Sequence, residues 1–313
     1  MRSIMKNGIL LLFCAFTLVL HGCQTMDGAL QAAASVASQT GYLPSGAGSA
    51  IANTGSAFFK AAEGITEEQE YYLGRAIAVN LFDKYGNYDN PELLHYVNKV
   101  GNTVLYASGT PGTYGGYHFI VLDSDEVNAM ATPGGYVFIT KGTLKLVQNE
   151  DELANILAHE IAHVKLKHGV GTIKSSRLSN LAAITASEAG NYALNQYTDV
   201  NVGSLKDVMQ GAVTDITNDL VTKGYSRSKE YEADAMAIEI VTKAGYNPSG
   251  LRTFLVNMDA MNEGNETGGW FKTHPKAKDR INRIDKKLAG KSISNPVYSI
   301  RTERFVREKE KMN

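Results

Sequence analysis

The chain has 313 residues, 43% hydrophobic and 20% charged, with 30 Gly, 7 Pro and 2 Cys. This is ordinary globular composition, which excludes a collagen-like repeat, a wholly disordered chain and a disulfide scaffold. With 31 basic and 32 acidic residues the formal net charge is -1, so there is no electrostatic footprint for nucleic acid.

Arg2 and Lys6 make a basic start, and residues 8–20 are apolar apart from Thr17. The run is shorter than the roughly 20 apolar residues a membrane-spanning helix needs, and it suits the apolar region of a secretory signal over residues 1–22. It ends in Leu20-His21-Gly22-Cys23, which resembles a bacterial lipobox, with His21 replacing the usual small residue. Cys14 is a poorer candidate, because bulky Phe13 precedes it. The expectation is an exported chain with lipid on Cys23. Gln24, rather than Asp, follows the cysteine, and the resemblance to Gram-negative lipoproteins implies the outer membrane, facing the periplasm. A mature chain whose only Cys is Cys23 has no free thiol nucleophile, which excludes cysteine-protease chemistry.

Residues 24–64 are rich in Ala, Gly, Ser and Thr and read as a flexible tether with short helices near 29–38 and 50–62. Thr66-Glu67-Glu68-Gln69 fits a capping box and predicts a helix to Tyr85. Asn90-Pro91 opens a second helix, with Leu93, Val97, Val100 and Val104 on one face. After a Gly- and Tyr-rich loop at 109–116, residues 117–122 and 136–140 read as strands. Pro133-Gly134-Gly135 is a turn, and the segment before it is a candidate edge strand.

Asn149 caps a helix predicted to reach His168, with Glu150, Asp151 and Glu152 in its first turn. Helices are also predicted near 175–189, 204–223, 227–244 and 275–289. The final dozen residues mix both signs and read as a solvated tail. The predicted organisation is a signal at 1–22, a lipidated tether at 23–65, a domain at 66–290 and a charged extension at 291–313. The predicted elements make an α+β fold, mainly α.

Within the helix at 149–168 stands His159-Glu160-Ile161-Ala162-His163. Four residues advance a helix by about 400°, so both imidazoles lie on one face and can reach one metal ion. Glu160 lies close enough to take a proton from an activated water. A zinc hydrolase needs a third protein ligand. A third His six residues after the second is absent, since position 169 is Gly. His168 is one residue off that pattern and is expected to face solvent. The other common choice is a Glu on a later helix with Asp one turn beyond. Glu230, with Asp234, is the only Glu in the chain with Asp at that spacing.

Four blocks now stand in order: residues 128–136 (Asn-Ala-Met-Ala-Thr-Pro-Gly-Gly-Tyr), the helix at 152–163, residues 226–234 (Ser-Arg-Ser-Lys-Glu-Tyr-Glu-Ala-Asp), and Thr273-His274-Pro275 with Arg280-Ile281. Together they resemble the HtpX and CAAX-prenyl-protease type of zinc metallopeptidases, peptidase family forty-eight, over residues 66–290. The resemblance implies a gluzincin-type fold with a small sheet beside the His159–His163 helix, one zinc ion and endopeptidase activity. It implies His159, His163 and Glu230 as ligands, Glu160 as general base and Asp234 as the acid behind a ligand imidazole. His274 is either a cap-region residue or a group at the cleft that approaches zinc or a bound carbonyl. Arg280 is expected to pair with an acid of the site, with Asp234 the candidate. An edge strand at Asn128, Ala129, Met130 and Ala131 can take an extended peptide as one more strand. Expected partners are polypeptides, with outer-membrane proteins or their assembly machinery among them. The alternative is a periplasmic chaperone or assembly scaffold with a structural or latent zinc site.

Overall fold

The computed structural model describes residues 67–109, 112–171, 213–214, 216–218, 220–261, 269–274, 277–290 and 298–311. The expected signal, lipid site, tether, Thr66 cap and helix at 175–189 lie outside the described residues, as do parts of the helix at 204–223.

Helix α1 spans Glu67–Tyr85 and α2 spans Pro91–Ala107. The Asn90 side chain accepts from the Leu93 amide at 3.0 Å, and Pro91 occupies the first turn, where no amide donor is needed. Strands β1 (His118–Leu122), β2 (Ala129–Ala131) and β3 (Tyr136–Thr140) follow. Their order in the sheet is β1-β3-β2, with β1 parallel and β2 antiparallel to β3. The expected edge strand is therefore at an edge, and Met130 registers with Phe138. Gly134 in the turn has φ 76, and a Cβ there would lie 2.6 Å from the Tyr71 backbone, so α1 crosses the turn at a distance only Gly allows.

The two-residue period of the strands divides the core. Phe119, Val121, Ala129, Ala131, Val137 and Ile139 face one cluster; Leu122, Met130, Tyr136 and Phe138 face the other with Ile77 and Leu81 of α1. Burying Phe138 fully contributes about 2–3 kcal/mol.

Beyond β3 come the short α3 (Lys141–Leu146) and then α4 (Glu150–Lys165), whose residues 150–164 are all buried. Around α4 pack α5 (Arg227–Lys243) and α6 (Gly250–Met261), followed by α7 (Trp270–Thr273) and α8 (Ala277–Leu288). The fold is α+β and mainly α, as expected.

Two expectations fail. Helix α4 stops at Lys165, not at His168. The final segment is not a solvated tail: α9 (Tyr298–Glu310) packs on α4 and α2 and buries Phe305 and Arg301. Its Arg301 and Arg304 are partners for Asp151 and Glu150 in the acidic first turn of α4. Among the described residues no helix is long and apolar enough to cross a membrane.

Candidate metal centre

Asn149 starts α4 by accepting from the Glu152 amide at 2.9 Å, while Glu152 accepts from the Gln148 amide at 3.0 Å. This reciprocal cap sets the helix phase, and ten residues later His159 and His163 share one face. Their Nε2 atoms are 3.0 Å apart. Helix α5 runs alongside and turns Glu230 onto both rings. Its Oε2 is 3.4 Å from His159 Nε2 and its Oε1 is 3.3 Å from His163 Nε2. His274 follows α7 and brings Nδ1 within 3.0 Å of Glu230 Oε2 and 3.4 Å of His159 Nε2. Its Nε2 lies 3.2 Å from the Ala129 carbonyl of the edge strand. His159, His163, Glu230 and His274 thus each offer one ligand atom, all within 4.8 Å of one another, and all four residues are buried.

One turn along α5 from Glu230, Asp234 Oδ1 approaches His159 Nδ1 at 3.0 Å, an ion-pair contact rather than an aligned hydrogen bond. Arg280 of α8 is fully buried and donates from Nε and Nη2 to Asp234 at 2.9 and 2.7 Å. It also reaches Glu230 Oε2 at 3.1 Å through Nη1. The expected Arg280–Asp234 pair is present, and it extends to Glu230.

Burial alone would raise the pKa of Glu230, but His274 and Arg280 outweigh it and hold the carboxylate well below its usual range. Asp234 is lowered against its burial by Arg280 and His159. Glu160 is different: burial dominates and raises its pKa. It is fully buried, neither oxygen has a hydrogen-bond partner among the described residues, and His274 Nε2 is 3.6 Å away. Burial drives His163 well below the usual imidazole value. On His159, burial and Arg280 work against the proton, yet Asp234 and Glu230 raise the pKa to about 9.

These residues fit a zinc ion. Two imidazole nitrogens and a carboxylate face one another at 3.0–3.4 Å, a mixed donor set suited to zinc. A cation there competes with the proton that the carboxylates keep on His159.

The structure brings together all the expected site residues among these helices, and Asn128–Ala131 lie alongside. It corrects one expectation: His168 is buried, not solvent-facing, and its Nδ1 is 2.9 Å from His163 Nδ1. The cause is the backbone. Continuing the helix would carry His168 about 140° round the axis from His163. Instead Lys167 takes a left-handed φ of 54 and turns the chain back under His163. No Gly marked this reversal in the sequence. Two aromatic neighbours are not among the expected site residues. Tyr225 stacks on His163 with centroids 4.2 Å apart, and Trp270 stacks on His274 at 4.3 Å.

A buried His-Glu-x-x-His helix with a glutamate from a second helix defines a metallopeptidase-type centre of the gluzincin kind. Residues 91–288 match peptidase family M48, and the chain belongs to that family. It is 27% identical to the putative beta-barrel assembly-enhancing protease of Vibrio cholerae over 218 residues, which cover 69% of this chain and 43% of that protein. It is 28% identical to metalloprotease YcaL of Escherichia coli over 290 residues, covering 91% of this chain and 99% of YcaL. It is 24% identical to metalloprotease LoiP of the same organism, covering 92% and 100%. The chain thus spans about two-fifths of the length of the beta-barrel assembly-enhancing proteases and nearly all of YcaL and LoiP.

Proposed function

We propose that the chain is a zinc-dependent endopeptidase acting on polypeptides. The observation that carries this reading is the closure of the donor set by Glu230 beside a buried Glu160 whose two oxygens accept no hydrogen bond from the described residues. His159, His163 and Glu230 would hold the metal. Zinc, when bound, supplies Lewis-acid polarisation of the scissile carbonyl and lowers the pKa of the attacking water.

Glu160 is the general base. Its raised proton affinity suits a group that takes a proton from the attacking water and returns it to the leaving amine. Asp234 keeps the His159 proton on Nδ1, leaving Nε2 for the metal. Arg280 keeps Asp234 and Glu230 anionic. His274 lies where it can approach the metal or a bound carbonyl. Substrate would add as a strand along Asn128, Ala129, Met130 and Ala131, where main chain provides the affinity.

Hydrolysis of casein or an unfolded porin by the zinc-loaded chain tests the reading. Wild type cleaves, whereas chelator or Glu160→Gln stops cleavage. Cleavage retained by Glu160→Gln removes the general-base role. Full zinc occupancy without cleavage, with aggregation suppressed equally by both proteins, returns the chaperone or scaffold reading.

The same proposal takes residues 1–22 as an export signal, Cys23 as the lipid site, 23–65 as a tether and 66–290 as the body of the protease domain, against which α9 of the charged segment 291–313 packs. It locates the protein at the outer membrane, facing the periplasm. The lipobox resemblance supports this, and so do relatives whose name refers to beta-barrel assembly. Outer-membrane proteins or their assembly machinery are the proposed partners. Cys23→Ser should abolish acyl labelling and release the chain from the membrane fraction; a chain that stays acylated refutes the lipid site.

A further inference from the structure

We propose that His168 is the positioning residue for His163, doing for the second imidazole what Asp234 does for the first. This rests on the reading of His163 as a metal ligand.

A ligand imidazole must present an unprotonated nitrogen to the metal, so its other nitrogen must carry the proton and give it to an acceptor. For His159 the acceptor position is held by Asp234, whose Oδ1 lies 3.0 Å from Nδ1. Among the described residues no carboxylate stands behind Nδ1 of His163. His168 Nδ1 stands there instead, at 2.9 Å, with both rings buried. Only one of the two facing nitrogens can hold a proton. With the proton on His163 Nδ1, His163 Nε2 is free for the metal, and His168 accepts through Nδ1 and keeps its own proton on Nε2. That second proton has a receiver: Glu232 Oε2 is 3.4 Å from His168 Nε2. The chain of groups runs carboxylate, imidazole, imidazole, metal position.

Helix α5 fixes this arrangement from two sides. Lys229 donates to the His168 carbonyl at 3.0 Å, while Glu232 faces the ring. Glu230, between them in sequence, faces the metal position. One helix therefore supplies a proposed ligand and holds the group that orients another. The Tyr225 ring, stacked on His163 at an interplanar angle of 17°, prevents the imidazole from tilting away. The left-handed conformation at Lys167, which costs roughly 1–2 kcal/mol in an L-residue, is tolerated where it delivers His168 to this place.

The test uses the full chain with zinc. Chelator competition compares wild type, His168→Leu, which fills the site without an acceptor, and His168→Gln, which restores one. His168→Leu is expected to lose zinc affinity by about tenfold or more, with His168→Gln recovering most of it. Thermal midpoints of the metal-free proteins are measured alongside, and the affinity loss in His168→Leu should exceed any change there. Long-range proton–nitrogen spectra of the wild-type histidines should find the His168 proton on Nε2. Equal zinc affinity in wild type and His168→Leu, equal losses in Leu and Gln, or a proton on His168 Nδ1 overturns the inference. The spectra decide even if a variant does not fold. Wild type that binds no stoichiometric zinc, or His163→Ala that binds as tightly as wild type, refutes the metal reading itself and is distinguishable from failure of the His168 role.

Discussion

The two ends of α4 both bury carboxylates, but they treat them differently. At the start, Glu150 accepts from Tyr96 at 2.7 Å, from Tyr246 at 3.0 Å and from Arg304. Asp151 accepts from the Asn247 amide at 2.7 Å and pairs with Arg301 at 2.9 Å. Ten residues after Glu150, Glu160 is equally buried and has no hydrogen-bond partner among the described residues. A buried carboxylate without a hydrogen bond costs stability even with an imidazole 3.6 Å away, so a fold keeps one only where something other than stability requires it. The satisfied end is architecture; the unsatisfied end is the place for chemistry.

Substitutions can break or sharpen that contrast. The largest effect is expected for Glu160→Gln, which should lower peptide hydrolysis by about 10³-fold while leaving zinc content and thermal midpoint unreduced. A fall in the midpoint would mean that Glu160 is structural after all. Glu150→Ala should do the reverse. It strands two buried tyrosine hydroxyls and removes a partner of Arg304, at about 3 kcal/mol in denaturant unfolding, with turnover per folded molecule unchanged. Asp234→Asn should weaken zinc binding by about 10–100-fold in chelator competition, with a smaller change in the metal-free midpoint. Arg304→Ala should cost only about 1–2 kcal/mol, because its side chain is 44% exposed and partly screened, and Glu150 keeps both tyrosines. A larger loss from Arg304→Ala than from Glu150→Ala would contradict the ranking.

Much of this was legible in residue order. Asn90-Pro91 and Asn149 stop rotating the chain where a helix must begin, and their side chains do cap as expected. The His159–His163 spacing and the Glu230–Asp234 spacing each report a helical face, so the metal centre could be anticipated before any coordinates. What could not be anticipated depends on contacts across the fold. His168 needed a backbone reversal at Lys167, a residue with no preference for that conformation. The segment at 298–310 reads as solvated because its charges are mixed, and only the acidic start of α4 gives Arg301 and Arg304 their partners. Arg280 reaching Glu230 as well as Asp234 likewise depends on how α8 crosses α5. Helices α3 and α6 are not among the elements expected from the sequence, although Thr140 caps α3 by accepting from the Thr143 amide.

The docking of α9 has a practical consequence. The family match ends at 288, and a shortened expression clone would naturally be cut there. Such a clone would discard Arg301, Arg304 and Phe305 and open Glu150 and Asp151 to water at the root of the helix that bears His159 and His163. Its weak activity would then be blamed on the metal site, when the fault lay in an amputated counterweight some 140 residues downstream.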